Sequence, residues 1–280
     1  MLEQLTQFII DTFATVKSAA IIIFFPAMFF FLLGLAVKKR ALFGDIRRAI
    51  PETSLNIQIM VFNLIFVIPL IGVASQFMSD LVDRYSLLLI SPAVWESFTL
   101  PITVLIAVFI GDFVGYWRHR LEHTKILWPS HAVHHSDTEM TWLALERFHP
   151  INRMTTFIID AGILLLLGFP PTAVLVNGWI RHFYGYFIHA DLPWTYGRMA
   201  SVFVSPAMHR WHHAAQVEAF NTNYATVFSV FDHVFGTYRV PGPCDVALGV
   251  TDDMAPTLGG QMIYPFQARA YKRLFTKNSK

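Results

Sequence analysis

The chain has 280 residues, of which 54% are hydrophobic and only 14% charged, and its formal net charge is +2. A soluble domain averages about a quarter charged residues, so the chain lacks the polar surface of a water-soluble globule, and it lacks the clustered basic face of a nucleic-acid binder. The single cysteine, Cys244, excludes a disulfide framework and any CxxC site, and no two glycines stand at GxG spacing, which excludes the Rossmann and P-loop fingerprints. A redox enzyme of this composition must take its electrons from another protein.

In chain order, three apolar stretches come first, at residues 19–37, 55–78 and 98–114, each near the roughly 20 residues that cross a bilayer. The first is no cleavable signal peptide: Glu3 and Asp11 precede it, Lys38-Lys39-Arg40 follow it, and it is too long for an h-region. The loop carrying Lys38, Lys39, Arg40, Arg47 and Arg48 belongs in the cytoplasm by the positive-inside rule. The next loop, with Asp80, Asp83, Arg84 and Glu96, suits the outside. The third span then delivers Trp117-Arg118-His119-Arg120 to the cytoplasmic face.

A fourth apolar region, 155–188, is broken by Gly168-Phe169-Pro170-Pro171, because proline lacks an amide donor and clashes with the preceding turn. It is either one kinked span or a hairpin that returns to its starting side. The expected fold is therefore all-α: a multi-pass helical bundle with three spans in 1–115, a cytoplasmic histidine-bearing cap in 116–240 that includes the hairpin, and a cytoplasmic polar tail at 241–280. Neither a repeat of 20–50 residues nor a low-complexity segment is evident.

Eight of the twelve histidines form three groups: His119/His123 at i, i+4, and His131/His134/His135 and His209/His212/His213, both at i, i+3, i+4. On a helix such spacings share one face, so each group points two or three imidazoles at one spot. Ser205-Pro206 reads as an N-cap with proline at the first helical position, and Pro129-Ser130 starts the helix of the second group. Chance yields an HxxHH triplet roughly 0.02 times in a chain with this histidine content, so two of them point to metal ligation rather than to packing. Imidazole suits iron, zinc, copper or nickel. Eight nitrogens exceed what one ion holds, so two ions are implied, and a structural zinc would need only four ligands. The arrangement requires the hairpin form of 155–188.

Two other readings fit parts of the pattern. His119-Arg-Leu-Glu122-His123 is also an HxxEH zinc-hydrolase signature with Glu122 as base, which leaves both HxxHH boxes idle. A metal transporter would place its ligands near the bilayer midplane, whereas the boxes lie outside the spans. Haem wants one or two axial histidines, not eight.

With these motifs in view, the chain resembles the fatty acid hydroxylase and sterol desaturase superfamily, most closely its bacterial members. The resemblance runs from about Asp112 to Arg239 through DFVGYWRHRLEH, HAVHHS, RFHP, FIHAD, SPAMHRWHH and NTNYATVFSVFDHVFGTY. It implies a non-haem di-iron centre at the cytoplasmic membrane face (zinc can occupy such a site in purified protein), with hydroxylation or desaturation of a sterol or fatty acyl C–H bond by O2. It also implies a bacterial inner membrane rather than endoplasmic reticulum, and electrons from a ferredoxin, a cytochrome b5-like protein or a reductase. Carried over residue by residue, His119, His123, His131, His134, His135, His209, His212 and His213 match ligand positions, and His189 of FIHAD matches another. His149 of RFHP is a recurring histidine of less certain role. Departures are His233, where the family usually has Arg or Lys, Glu146 in a variable stretch, and His182, without a counterpart.

Other residues carry expectations of their own. His182 and His189 share a helix face, and His149 and His182 are further ligand candidates. Asp112, two turns before His119, is expected to accept the outer N–H of a ligand histidine, with pairing to Arg118 or another cation as the alternative; Tyr116 and Tyr224 are expected to hydrogen-bond near the site. Asp232 is expected to hold the FGT turn. Arg118, Arg120, Lys125 and Arg210 offer positive charge to an electron donor. Which lipid is oxidised, which of the two reactions occurs, and the oligomeric state stay open.

Overall fold

A computed structural model of the protein describes residues 2–272; the end of the expected tail, 273–280, lies outside the described residues. The described chain is helical, with one isolated bridge between Ala214 and Leu248 in place of a sheet. Three helices are long and apolar enough to cross a membrane: α1 (Leu2–Lys38, apolar from Lys17), α2 (Ala41–Tyr85) and α3 (Leu100–Glu122). Large apolar side chains such as Phe24, Phe25, Leu32, Val73, Phe77 and Leu105 stand exposed along them, a pattern that only a lipid surround makes stable.

At 1.5 Å per residue α2 measures about 65–70 Å, twice the apolar core of a bilayer. It is continuous through a π turn at Asn63–Val67, and its first turns lie against the loop that follows the HAVHHS motif. There Asn56 donates to Asp137 (2.9 Å) and accepts from the buried Arg147 (2.6 Å), which also pairs with Glu52. The membrane helix thus doubles as a wall for the histidine-bearing part of the chain.

The break at 168–171 makes a hairpin. Its first arm, α5, runs Pro150–Thr156, Phe157–Ala161 and Gly162–Leu166; its second, α6, is Pro171–His189; the short α4, Trp128–His135, precedes both. Gly168 takes φ +70°, and a Cβ there would collide with the carbonyl of Ile90, so only glycine fits the turn. Trp95 stacks on Phe169 at 3.9 Å and donates to the Leu167 carbonyl at 2.8 Å. The turn therefore docks beside the start of α3, and both arms run back along α3 to its far end. Gly111 and Gly115 of α3 leave room there for Asn177 and Arg181 of α6.

The far end is capped by α4, by α7 (Pro206–His212) and by the loop 213–240. Ser205 caps α7, its hydroxyl accepting from the Met208 amide at 3.1 Å. One core joins Tyr116, Ile188, Val204, Met208 and Phe231. Residues after Pro241 fold onto the cap: Met254, Leu258 and Met262 pack with Leu55, Ile59 and Val133, and Tyr264 packs on Ala132. Asp232 binds the FGT turn, accepting from the amides of Tyr224 and Ala225 (2.7 and 2.9 Å) and from the Thr237 hydroxyl (2.7 Å).

Candidate metal centre

Nine imidazoles meet at the end of α3 and form two groups, each with its ligand atoms within 4.8 Å of one another. The first takes His119 from α3 and His123 from the position just after it, His131 and His135 from α4, and His212 from α7. The second takes His134 from α4, His189 from the end of α6, His209 from α7 and His213 from the position just after it. Each HxxHH box is thus shared, its i, i+4 pair going to one group and its i+3 member to the other, which corrects the expectation that a box aims at one spot. At about 100° per residue, i and i+4 diverge by only about 40°, while i+3 points about 100° away from i+4. The groups adjoin: His135 stacks on His213 at 4.3 Å, and the His131 and His134 rings lie 5.5 Å apart.

Second nitrogens fix the tautomers. Nδ1–H donates to a carbonyl in His119 (Tyr224 O, 2.7 Å), His131 (Asn152 Oδ1, 3.0 Å), His189 (Gly185 O, 2.7 Å) and His212 (Thr222 O, 2.6 Å). Since a carbonyl only accepts, these Nδ1 atoms carry the protons, and in a neutral ring each Nε2 is then a bare lone pair. Two such lone pairs, on His119 and His131, face each other at 3.0 Å; His131 and His135 Nε2 are 3.1 Å apart, and His189 Nε2 stands 3.0 Å from His209 and 3.2 Å from His134. Facing lone pairs repel unless a cation lies between them. A metal–nitrogen bond of about 2.1 Å sets adjacent ligands about 3.0 Å and opposite ligands about 4.2 Å apart, so the spacing suits a metal. The buried His212 Nε2, without a hydrogen-bond partner, is a further atom that a metal would satisfy.

Burial favours the neutral ring. It pushes His131, His189 and His212 down to about 3. The same desolvation, reinforced by neighbouring imidazoles, holds His134, His135, His209 and His213 well below the usual histidine range. All seven are ready to ligate without first losing a proton.

Several expectations need correction. His149 and His182 stand outside both groups: His149 Nδ1 accepts from the Ile151 amide (3.2 Å) as the cap of α5 and its Nε2 donates to the Met262 carbonyl (3.1 Å), while His182 lies 3.3 Å from Glu146. Asp112 meets no histidine; it accepts from the amides of Thr226, Val227 and Phe228 (3.3, 3.0 and 2.7 Å) beside Arg181, because the loop 221–238 passes between it and the imidazoles. Tyr116 reaches Thr237 and Arg120 rather than a ligand. Tyr224 does support the site, but through its backbone carbonyl. Two of the four cations expected to face a donor are turned inward, Arg118 pairing with Asp160 and Glu122 and Arg210 with Asp191 and the Met140 carbonyl. Lys125 is exposed.

Residues 104–237 match the family model of the fatty acid hydroxylases. Over this segment, just under half of its length, the chain resembles the fatty acid hydroxylases. It is similar to an ornithine lipid hydroxylase of Rhizobium tropici (29% identity over 66% of this chain and 56% of that protein). It is also similar to human alkylglycerol monooxygenase (28% over 52% and 34%) and to a Delta(7)-sterol 5(6)-desaturase of Gibberella zeae (29% over 54% and 40%). The match thus spans about a third to just over half the length of these relatives. No solved structure matches.

Glu122, the base of the hydrolase reading, is committed elsewhere. Its carboxylate holds Arg118 and accepts from the Thr155 hydroxyl at 2.9 Å, and it approaches His131 only from the Nδ1 side, at 3.6 Å. Asn152, the acceptor for His131, went unnoticed in the sequence, since a lone asparagine in HPINR has no spacing that ties it to a histidine box. The Glu146 carboxylate, which burial works to raise, is held well below its usual range by Arg153 (2.5 Å), His182 and the Tyr186 hydroxyl (2.5 Å).

Proposed function

We propose that this chain is a non-haem di-iron oxidoreductase that hydroxylates or desaturates a C–H bond of a membrane lipid, using O2 and electrons from a partner protein. The observation that carries the reading is the pair of adjoining imidazole groups, His119/123/131/135/212 and His134/189/209/213, at the end of membrane-spanning helices. Two iron ions held there would supply the O2 activation that an unactivated C–H bond demands. An all-nitrogen, thiolate-free ligand set accepts zinc as well as iron; the names of the relatives, two hydroxylating enzymes and a desaturase, favour iron.

The protein's own contribution is positioning and exclusion of water. Backbone carbonyls of Tyr224, Gly185 and Thr222 and the amide of Asn152 orient four of the rings, a hydrogen-bond shell that sharpens ligand geometry. Phe148 lies parallel to His134 at 4.4 Å and Trp128 flanks His135 at 5.3 Å, closing the groups with apolar rings. The basic stretch Lys38–Arg48, the end of α1 and the first turns of α2 at the same end, supports a cytoplasmic orientation. Electrons would arrive over that face, where Lys125 is exposed.

Lipid profiling of cells lacking the gene, of cells expressing the chain and of cells expressing His212→Ala tests the reading. The expected result is a lipid gaining one oxygen or losing two hydrogens only with the intact chain. Identical lipid profiles in all three would overturn it.

A further inference from the structure

A cavity of about 1060 Å³ lies between α1, the first turns of α2 and the segments 138–143, 190–192 and 244–248. Its deep end is apolar, with Phe30, Phe31, Leu42 and Trp142 in the lining, and Phe30 stacks on Trp142 at 5.3 Å. Its other end is lined by seven charges, six of them in an alternating chain and the seventh being Asp245. Glu139 faces Arg48 (3.8 Å), Arg48 pairs with Asp45 (2.6 Å), Asp45 with Lys38 (2.7 Å), Lys38 with Asp191, and Asp191 with Arg210 (3.2 Å).

Position gives this cavity a meaning. Lys38 ends the first span and α2 begins at Ala41, so the charged end sits where the chain leaves the bilayer. Phe31, seven residues back along α1, is about 10 Å deeper. Asp191 follows His189 by two residues and Arg210 follows His209 by one, so the charged end also borders segments that bear the second histidine group. Three cations stand there among four anions, Asp245 being the fourth. A head group with only a negative charge would leave an anion of the chain unpaired, and a neutral head would gain nothing from opening it. A head bearing an ammonium together with a phosphate or carboxylate exchanges partners at both signs, and its ammonium also meets the surplus carboxylate.

We propose that this cavity seats the head group and upper acyl chains of a zwitterionic membrane lipid, and that this lipid class is the substrate; the second clause rests on the lipid-oxidising reading above. Asp191 and Asp45 receive the ammonium, Lys38 and Arg210 the anionic group, and the acyl chain lies along Phe30, Phe31 and Trp142.

Trp142 supplies a readout independent of turnover. Metal-loaded protein in nanodiscs is titrated with phosphatidylethanolamine, phosphatidylglycerol or diacylglycerol, each brominated high on the acyl chains. The difference in fluorescence between wild type and Trp142→Phe isolates this one of the seven tryptophans. Half-maximal quenching should need about fivefold less phosphatidylethanolamine than either other lipid, the worth of roughly one partly exposed ion pair. Lys38→Gln and Asp191→Asn should each erase most of that preference. Equal quenching by the three lipids, or a preference untouched in both variants, would overturn the proposal. Should both variants fail to fold, the wild-type comparison still decides. A head-group preference without lipid oxidation would sink the proposed function while leaving this site standing.

Discussion

Replacing Asn152 by alanine tests how the buried hydrogen-bond shell serves the centre. Asn152 is fully buried, and its Oδ1 accepts the Nδ1 proton of His131 at 3.0 Å. Without it, that proton has one other acceptor near, Glu122 Oε2 at 3.6 Å, but this carboxylate is pinned by Arg118 and Thr155. His131 would then lose both its fixed orientation and the added basicity of its Nε2. Removal of such an outer partner typically weakens metal binding about 10–100-fold, or about 1.4–2.7 kcal/mol, and the pinned Glu122 argues for the upper half of that range. Chelator competition on purified, metal-loaded protein measures the change, with circular dichroism as the check on folding; Asn152→Asp, which keeps an acceptor, should recover most of the affinity. A folded Asn152→Ala protein that holds its metal within twofold of wild type would refute the reasoning.

Three further outcomes are expected. Asp112→Asn should lower stability by about 1–3 kcal/mol, since it swaps an acceptor of three backbone amides for a group that is half donor, yet leave the metal-to-protein ratio unchanged; loss of metal would mean that Asp112 supports a ligand after all. His149→Ala and His182→Ala should both retain wild-type metal content by elemental analysis, whereas His213→Ala should lose metal. Metal-free protein should become less stable on acidification. The folded-state values of His131, His189 and His212, about 3, lie below the unfolded value near 6.5, so between those limits the unfolded chain binds more protons and stability falls as pH falls, by about 1.4 kcal/mol per pH unit and imidazole. The thermal midpoint should drop between pH 7.5 and 5.5; a flat or rising midpoint would contradict the burial of neutral rings.

Much of this arrangement is legible in the residues. Helical spacing makes the HxxHH boxes visible, apolar length marks the spans, and Gly168-Phe169-Pro170-Pro171 marks a break, because each of these acts through local geometry; that the break is a hairpin rather than a kink follows only from the need to bring the boxes together. His189 shares its segment only with His182, seven residues earlier, a spacing that forms no box, so family resemblance is what singles it out. The sharing of each box between two groups is implicit in 100° per residue but needs the partner helices to decide it. The outer acceptors are harder still: Tyr224, Gly185 and Thr222 act through backbone carbonyls, which every residue has, so no side-chain pattern marks them. Asp112 misled because its helical phase fits a histidine partner while a loop more than a hundred residues later takes its lone pairs. The segment after Pro241 looks like a polar tail, yet Met254, Leu258 and Met262, spaced about a helical turn apart, pack it onto the cap.

X-ray absorption at the metal edge, together with elemental analysis of the protein purified from iron-supplemented cells, tests the central claim most directly. Two neighbouring centres built from nine imidazoles predict about two ions per chain and a first shell of nitrogen near 2.1 Å with imidazole outer-shell scattering. One ion per chain, or a first shell dominated by sulfur or carboxylate oxygen, would contradict it.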